Sequence, residues 1–199
     1  LVGLFGAAML APARAAAEGE TYVVATDITF APFEFQDEQG KFVGIDIDLL
    51  NEIAANQKFN VTIKPLGFDA ALQAVQANQA DGVIAGMSIT DERKKVFDFS
   101  DPYFESGVQM AVLEDNQDIK SYADLKGKRV AVKNGTEGAA FAESIKDKYG
   151  FQIVSFADSS SMFEEVKTGN SVAVFEDYPV LNYNIQRGNG FKTVTPKEK

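Results

Sequence analysis

The sequence predicts an α/β protein of two lobes, each built from a mostly parallel β-sheet flanked by helices. Strand-like segments rich in β-branched residues alternate with segments whose apolar residues recur at helical spacing. Parallel strands require crossover connections, and helices usually supply them. The alternation occurs once before and once after the stretch 106–128, which begins as an apolar strand and continues as a polar segment. Two α/β units joined near this stretch are therefore expected.

Three segments before residue 67 form a β-α-β unit. The run TYVVAT predicts a strand, GIDIDLLNEIAANQKF predicts a helix with Ile47, Leu50 and Ala54 on one stripe, and VTIKPL predicts a second strand. A further helix, FDAALQAVQANQ, and a third short strand, ADGVIAG, follow. The second helix has four residues at helical spacing, namely Ala71, Leu72, Val75 and Gln79. These elements predict a first lobe over residues 18–106.

The second half of the chain repeats this scheme. KRVAVKNGTEGAAFAESIKDKYG predicts a strand, a turn and a helix, and FQIVSF predicts another strand. SSSMFEEVKTGN predicts a capped helix, and SVAVFEDYPVLNYNIQRGNG predicts a strand that leads into a helix ending at Gly188. A second lobe is expected over residues 107–199, with the crossing between lobes near Glu105–Met110.

The amino-terminal stretch suggests export. The apolar run Leu1–Leu10 is too short to span a bilayer, and the small residues at 11–17 fit an A-x-A cleavage site. Residues 1–17 are therefore predicted to be the remnant of a signal peptide, with a fortuitous Ala-rich tail or a buried helix as the alternative. A secreted protein, either periplasmic or extracellular and membrane-associated, is expected.

Composition excludes several functional classes. The 199 residues carry a formal net charge of -10, which disfavours nucleic acid and anionic membrane surfaces as partners. Because the chain has no cysteine and no histidine, disulfides, Cys/His metal sites and Ser-His or Cys-His catalysis are impossible. We expect no cofactor and no metal.

Polar residues follow the predicted strands at their carboxyl ends, where proteins of this class bind ligands. The stretch GMSITDERKKVFDFS places hydroxyl groups, backbone N–H groups and one guanidinium together, as expected for an anion site. The candidate residues at the strand ends, with two aromatic residues nearby, are Asp27, Phe30, Phe68, Gly86, Ser88, Arg93, Lys133, Thr136 and Asp177.

Each candidate also has a purely structural interpretation. Ser88, Thr90 and Asp91 suit a helix N-cap region, and Thr136 suits a cap after an ordinary turn. Aspartates at strand ends are often turn residues, an isolated arginine is usually a solvated surface charge, and most phenylalanines belong to the core. Co-location of the candidates, and not any single residue, favours a binding site.

Four stretches resemble the periplasmic solute-binding proteins for amino acids that serve ABC importers, which have a two-lobed type II fold. They are VVATDITFAPFEF, FVGIDIDLLNEIA, ADGVIAGMSITDERKKVFDFSDPYFESG and DLKGKRVAVKNGTEG. The resemblance runs from about Thr21 to Thr195 and is strongest to the glutamine-binding members. The order of residues between Ala80 and Gly107 is its most specific part.

The resemblance implies how the ends of an amino acid are held. Arg93 would pair with the α-carboxylate, assisted by backbone N–H groups of Ser88 and of the turn at Thr136 and Glu137. The ammonium group would contact three acceptors, namely the Asp177 carboxylate, the Gly86 carbonyl and the Ser88 hydroxyl. Phe30 and Phe68 would sandwich the ligand.

Side-chain specificity would come from Asp27 and Lys133. A carboxylate opposite an ammonium group satisfies the donors and the acceptor of an amide, so glutamine is the expected ligand and glutamate the next. Glu137 departs from the closest family pattern, which has a small residue there. Its carboxylate is expected to point to solvent, leaving only its N–H for the ligand.

The resemblance further implies that the chain returns to the first lobe after FKTVTPKEK, so the C-terminal part of that lobe is expected to be missing from this sequence. The implied partners are a free amino acid and the permease subunits of an ABC importer, with no reaction catalysed. Two alternatives remain open. The chain could be the sensor domain of a receptor or kinase, or a dehydratase on the same scaffold that uses Asp27 or Glu137 as general acid or base.

Overall fold

A computed structural model describes residues 18–198. The predicted signal-peptide remnant at 1–17 lies outside the described residues. The first lobe contains, in chain order, β1 (Thr21–Thr26), β2 (Thr29–Phe30), β3 (Glu34–Gln36), β4 (Phe42–Val43), α1 (Ile45–Gln57), β5 (Asn60–Pro65), α2 (Phe68–Gln76), β6 (Gly82–Val83) and α3 (Asp91–Lys94). The second contains β7 (Val108–Leu113), a short 3-10 helix (Tyr122–Leu125), β8 (Arg129–Lys133), α4 (Glu137–Tyr149), β9 (Gln152–Phe156), α5 (Ser159–Lys167), β10 (Ala173–Asp177), α6 (Tyr178–Gln186) and β11 (Phe191–Thr193).

The sheet of the first lobe is parallel, with the strand order β5-β1-β6. Helix α1 buries Ile47, Leu50 and Ala54, so the predicted apolar stripe is confirmed. The apolar stripe predicted for α2 is wrong at its C-terminal end. Gln79 lies beyond the helix and is exposed, and Ala74 is buried instead.

A second, antiparallel sheet in the first lobe was not predicted from the sequence. It has the strand order β2-β3-β4 and pairs Phe30 with Glu34 across the first ladder. Its strands have only two or three residues each, which is too short for an alternation of apolar and polar residues to be visible. This sheet places Phe30 beside the gap between the lobes.

The sheet of the second lobe has five strands in the order β11-β7-β10-β8-β9. Strand β8 runs parallel to both β9 and β10, as predicted, whereas β7 runs antiparallel to β10 and β11. Strand β7 begins at Val108, within the stretch predicted to join the lobes. The last described residue, Glu198, pairs with Val108 through two backbone hydrogen bonds of 2.8 Å.

The two lobes differ in their cores. Phe175 lies fully buried at the centre of the larger core, where Tyr122, Phe141 and Phe151 pack around it with ring centroids 5.7–6.1 Å away. The core between β1 and α2 consists mostly of alanine side chains. Within residues 18–198, no helix combines the length and the apolar character needed to cross a bilayer.

Candidate functional site

Strand ends from both lobes converge on one cavity. Strands β8 and β10 end at Lys133 and Asp177, and β6 leads to Gly86. Nine of the ten predicted site residues line the cavity, and Ala85 is the only other lining residue: Phe30, Phe68, Ala85, Gly86, Ser88, Arg93, Lys133, Thr136, Glu137 and Asp177. The cavity has a volume of about 10 Å³, so little space remains between the lobes here. Asp27, the tenth residue, lies directly behind Lys133.

Arg93 connects the two lobes through its guanidinium. Its Nη1 donates to the Ser88 carbonyl at 2.9 Å, and its Nη2 donates to the Gly135 carbonyl of the second lobe at 2.9 Å. Its side chain is only 12% exposed, so it is not the solvated surface charge that its sequence neighbours would suggest. Burial lowers the pKa of Arg93, while Glu137 and Asp177 partly offset this effect.

The structure corrects the orientation expected for Glu137. Its Oε1 lies 3.4 Å from Nη1 of Arg93, so the carboxylate faces the cation of the other lobe instead of pointing to solvent. The side chain is still 35% exposed. The sequence did not reveal this contact because Arg93 and Glu137 are brought together only when the two lobes meet.

Helix caps account for part of the hydroxyl cluster. Thr90 caps α3, and its hydroxyl accepts a hydrogen bond from the N–H of Arg93 at 3.2 Å. Thr136 caps α4 by accepting from the N–H of Ala139, also at 3.2 Å. Ser88 lies before α3 and faces the cavity. The cap interpretation therefore holds for Thr90, while Thr136 is both a cap and a lining residue.

Lys133 and Asp27 form a buried ion pair between the lobes. Nζ of Lys133 lies 2.6 Å from Oδ2 of Asp27, and neither side chain is more than 2% exposed. The other oxygen of Asp27 accepts hydrogen bonds from the N–H groups of Ile28 and Thr29. Burial opposes the charged form of Lys133, but the carboxylates of Glu176 and Asp27 outweigh it and raise its pKa. Lys133 is therefore a fixed cation at the cavity wall.

Asp177 supplies a buried acidic group to the cavity that Arg93 and Lys133 also line. It is 7% exposed, and its Oδ1 accepts a hydrogen bond from the Ser106 hydroxyl at 2.8 Å. Burial, followed by the neighbouring carboxylate of Glu176, raises the pKa of Asp177 to about 7. An incoming cation would stabilise its charged form.

The two aromatic candidates are both buried and both line the cavity. Phe30 and Phe68 are 4% and 5% exposed. Nζ of Lys133 lies 4.3 Å from the centroid of the Phe30 ring, and Cζ of Arg93 lies 5.4 Å from that of Phe68. Each ring thus carries a cation over its face, which is a favourable electrostatic contact in a desolvated site. That the rings sandwich a ligand stays a prediction.

Gly86 holds a backbone conformation that a side chain would disrupt. Its φ is +53°, and a Cβ atom there would lie 2.6 Å from Cε1 of Phe30. Its N–H donates to Oδ2 of Asp46 at 2.6 Å. The glycine therefore allows the first-lobe backbone to approach the aromatic wall closely.

Sequence reasoning missed the groups that support the lining residues. They are Glu34, Asp46, Tyr103, Ser106 and Glu176. Glu176 adjoins the predicted Asp177 on β10, a strand that is buried at all five positions. An ionisable residue within such an apolar strand could have indicated a buried functional group. The other four residues come from β3, α1 and the segment before β7, and the proximity of these three parts of the chain had no signal in the sequence.

Taken together, the cavity presents two cations and a buried anion, and cations lie against both aromatic rings. Such a set matches the charges of a small zwitterion with one further polar group, because each charged end would meet an opposite charge away from water. A cavity of about 10 Å³ has room for about one water molecule, so a ligand of that size requires the lobes to move apart. Asp27 and Glu137, the two carboxylates considered for acid–base chemistry, are engaged by Lys133 and Arg93.

Comparison with known proteins defines the class. Residues 22–191 match the family of bacterial extracellular solute-binding proteins, family 3. The chain is 32% identical over 177 residues to the lysine/arginine/ornithine-binding periplasmic protein of Escherichia coli, covering 89% of this chain and 66% of the relative. It is 34% identical over 189 residues to a probable histidine-binding protein of Neisseria gonorrhoeae, covering 92% and 70%.

Solved structures give the same result. An ancestral arginine-binding protein bound to glutamine superposes with a TM-score of 0.84 at 42% identity, covering 92% of this chain and 81% of that one. An ancestral arginine-binding protein bound to arginine gives the same TM-score and identity. The chain therefore belongs to family 3 of the bacterial extracellular solute-binding proteins, and its fold is the two-lobed type II fold. It spans about two thirds of the length of these curated relatives.

Proposed function

We propose that the protein captures a polar L-amino acid, most favourably glutamine, and delivers it to the permease of an ABC importer. The observation that carries this proposal is that Arg93 and Asp177, from opposite lobes, line one cavity with Lys133. An α-amino acid has a carboxylate for Arg93 and an ammonium group for Asp177. Contacts to both lobes favour the closed arrangement, which is the form presented to the permease.

The buried pair of Lys133 and Asp27 supports glutamine over a cationic ligand. Lys133 faces the cavity with its ammonium group, so a lysine, arginine or ornithine side chain would meet a like charge. The amide oxygen of glutamine can accept from Lys133, and the amide N–H groups can donate toward Asp27 once the lobes separate enough to expose its carboxylate, which lies behind Lys133 in this arrangement. Glutamate keeps the first contact but sets its carboxylate against Asp27. Similar solved structures include both kinds of ligand, since ancestral arginine-binding proteins are known bound to glutamine, which is neutral, and to arginine, which is cationic.

Binding without turnover is part of the proposal. A dehydratase would need a free general acid or base at the cavity. Both carboxylates considered for that role already face a cation, which supports a binding function. Export to the periplasm or the outer cell surface, through the stretch at 1–17, is proposed on the sequence pattern and on the periplasmic relatives.

Titration calorimetry of the full-length protein with the common amino acids tests the proposal. We expect heat with L-glutamine, weaker binding of L-glutamate, and the weakest binding with L-arginine and L-lysine. An absence of binding to every polar amino acid would overturn the function, and tightest binding of L-arginine would overturn the role of Lys133. A candidate substrate turned over by the protein would favour the enzyme alternative.

A further inference from the structure

A buried carboxyl pair lies immediately behind the cavity wall. Glu34 is fully buried on β3, where it is the antiparallel partner of Phe30. Asp46, in the first turn of α1, is also fully buried, and its N–H donates to the carbonyl of Phe33, the residue before Glu34, at 2.9 Å. The two carboxyl groups are therefore buried neighbours. Among residues 18–198, neither Glu34 oxygen nor Oδ1 of Asp46 receives a hydrogen bond from an N–H or hydroxyl group.

The pair is connected to two residues of the proposed ligand site. Oδ2 of Asp46 accepts the N–H of Gly86, which lines the cavity, at 2.6 Å. Glu34 pairs through the β2–β3 ladder with Phe30, whose ring would clash with any side chain at position 86. The positions of Gly86 and Phe30 therefore depend on how the two carboxyl groups meet.

The charges around the pair do not permit two carboxylates. Glu34 faces Asp46 from α1, Asp27 from the end of β1 and Lys133 from β8, and Tyr103, from the chain segment before β7, lies near Asp46. Lys133 is the only cation among these groups, and Asp27 already engages it at 2.6 Å. Two anions in contact without water are strongly unfavourable, whereas one shared proton satisfies both groups.

Burial decides which group holds the proton. Burial, followed by the charges of Asp46 and Asp27, raises the pKa of Glu34 well above its ordinary value of 4.5. Burial also raises the pKa of Asp46, but the N–H of Gly86 and the hydroxyl of Tyr103 favour its charged form. Glu34 is thus the donor and Asp46 the acceptor.

We propose that Glu34 is a positioning residue of the ligand site: its carboxyl group stays protonated at neutral pH and donates to Asp46, which in turn fixes the backbone of Gly86. Loss of this proton places a second negative charge against Asp46, so that Gly86 and Phe30 are no longer held in their positions at the cavity. Binding should therefore weaken on the alkaline side, whereas stability should fall as pH rises from the unfolded to the folded pKa of Glu34. The binding part of this inference depends on the function proposed above, and the protonation part does not.

The pH dependence of unfolding tests the protonation directly. Because the folded-state pKa of Glu34 is raised, its contribution to stability is full below the unfolded value and is lost as pH rises through the folded value. Denaturant unfolding of the full-length protein is measured from about pH 5 to about pH 9. Relative to Glu34→Gln, which keeps the shape and a donor for Asp46, the unfolding constant of the wild type should rise about tenfold per pH unit until Glu34 ionises.

Glu38→Gln is the matched control because it makes the same replacement at an exposed position in the neighbouring turn. Its curve should run parallel to that of the wild type. If the Glu34→Gln curve is also parallel, Glu34 ionises normally in the folded protein and the inference is overturned.

Carbon-13 NMR of wild-type protein labelled at glutamate decides the question even if Glu34→Gln does not fold. The side-chain carboxyl carbon of Glu34, assigned through its own backbone, should show the protonated shift at pH 7. A titration midpoint near the ordinary value for glutamate would overturn the proposal.

Glutamine titration then tests the link to the site. The affinity of the wild type should fall once Glu34 ionises, and the affinity of Glu34→Gln should not fall in that range. If no amino acid binds at any pH, the proposed function fails while the unfolding and NMR results still stand. If glutamine binds with the same alkaline dependence in both proteins, the positioning role of Glu34 is overturned.

Discussion

The cavity has two cationic sites that differ in how firmly the cation is held. Lys133 lies 2.6 Å from Asp27, and both side chains are almost completely buried. Arg93 lies 3.4 Å from Glu137, whose side chain is about one third exposed. The first pair is built into the protein interior, whereas the second has an anion that can move aside. Under the proposed function, Arg93 would exchange Glu137 for the ligand carboxylate, while the Lys133 pair would meet the ligand side chain with its charges already in place.

The largest effect is expected from breaking the buried pair. Lys133→Met leaves Asp27 as an uncompensated buried charge, which costs about 3–5 kcal/mol of folding free energy. Urea unfolding of the variant should show this loss, and the double variant Lys133→Met/Asp27→Asn should recover part of it. A single variant as stable as the wild type would contradict the contrast between the two pairs.

Arg93→Ala should impair binding more than folding. Removing the guanidinium leaves the ligand carboxylate unpaired at a cost of about 2–5 kcal/mol in binding, as measured by calorimetry with glutamine. The partner left behind, Glu137, is partly exposed, so the unfolding free energy should change far less than in Lys133→Met. Arg93→Lys tests geometry, because an ammonium group keeps the charge but loses the bidentate fork. Retained affinity in Arg93→Ala would refute the assigned role.

Protonation of Asp177 should weaken ligand binding below neutral pH. Its pKa of about 7 means that the free protein loses the charged form below neutrality, and the ligand ammonium then meets a neutral group. Affinity for glutamine should fall about tenfold per pH unit below pH 7. The stability of the free protein should change in the opposite sense, since a raised carboxyl pKa favours folding at low pH. Asp177→Asn should bind weakly at all pH values, and an unchanged acidic slope in it would contradict this assignment.

The smallest effect is expected at Glu137. Glu137→Gln removes the anion that opposes the ligand carboxylate at Arg93, and a partly exposed pair of this kind contributes about 0.2–1 kcal/mol. Glutamine should therefore bind up to about fivefold more tightly. Glu143→Gln, an exposed position on the same helix, should leave the affinity unchanged. Weaker binding in Glu137→Gln would show that its carboxylate supports the site instead of competing in it.

Local patterns carried most of the fold prediction. The stripe of Ile47, Leu50 and Ala54 lies within one helix, so its periodicity is visible in the sequence. The small antiparallel sheet was missed because its strands are too short to show any period. The polar residues that line the cavity were predicted from their places at strand ends and from the family resemblance.

The supporting groups could not be predicted, because each depends on a partner from another element. Glu34 and Asp46 read as ordinary polar residues in the sequence, and only the packing of β3 against α1 makes them a buried pair. Glu137 follows the same rule, since its orientation is set by an arginine of the other lobe.

Gly138 has a consequence for what the second lobe can recognise. A Cβ atom at this position would lie 2.6 Å from the carbonyl oxygen of Phe175, so the first turn of α4 is pressed directly on β10. The turn at Thr136 and the carboxylate of Asp177 therefore keep a fixed separation within the second lobe. Under the proposed function, a β-amino acid, with one more methylene between its charged groups, would fit this separation poorly and should bind more weakly than the α-amino acid with the same side chain.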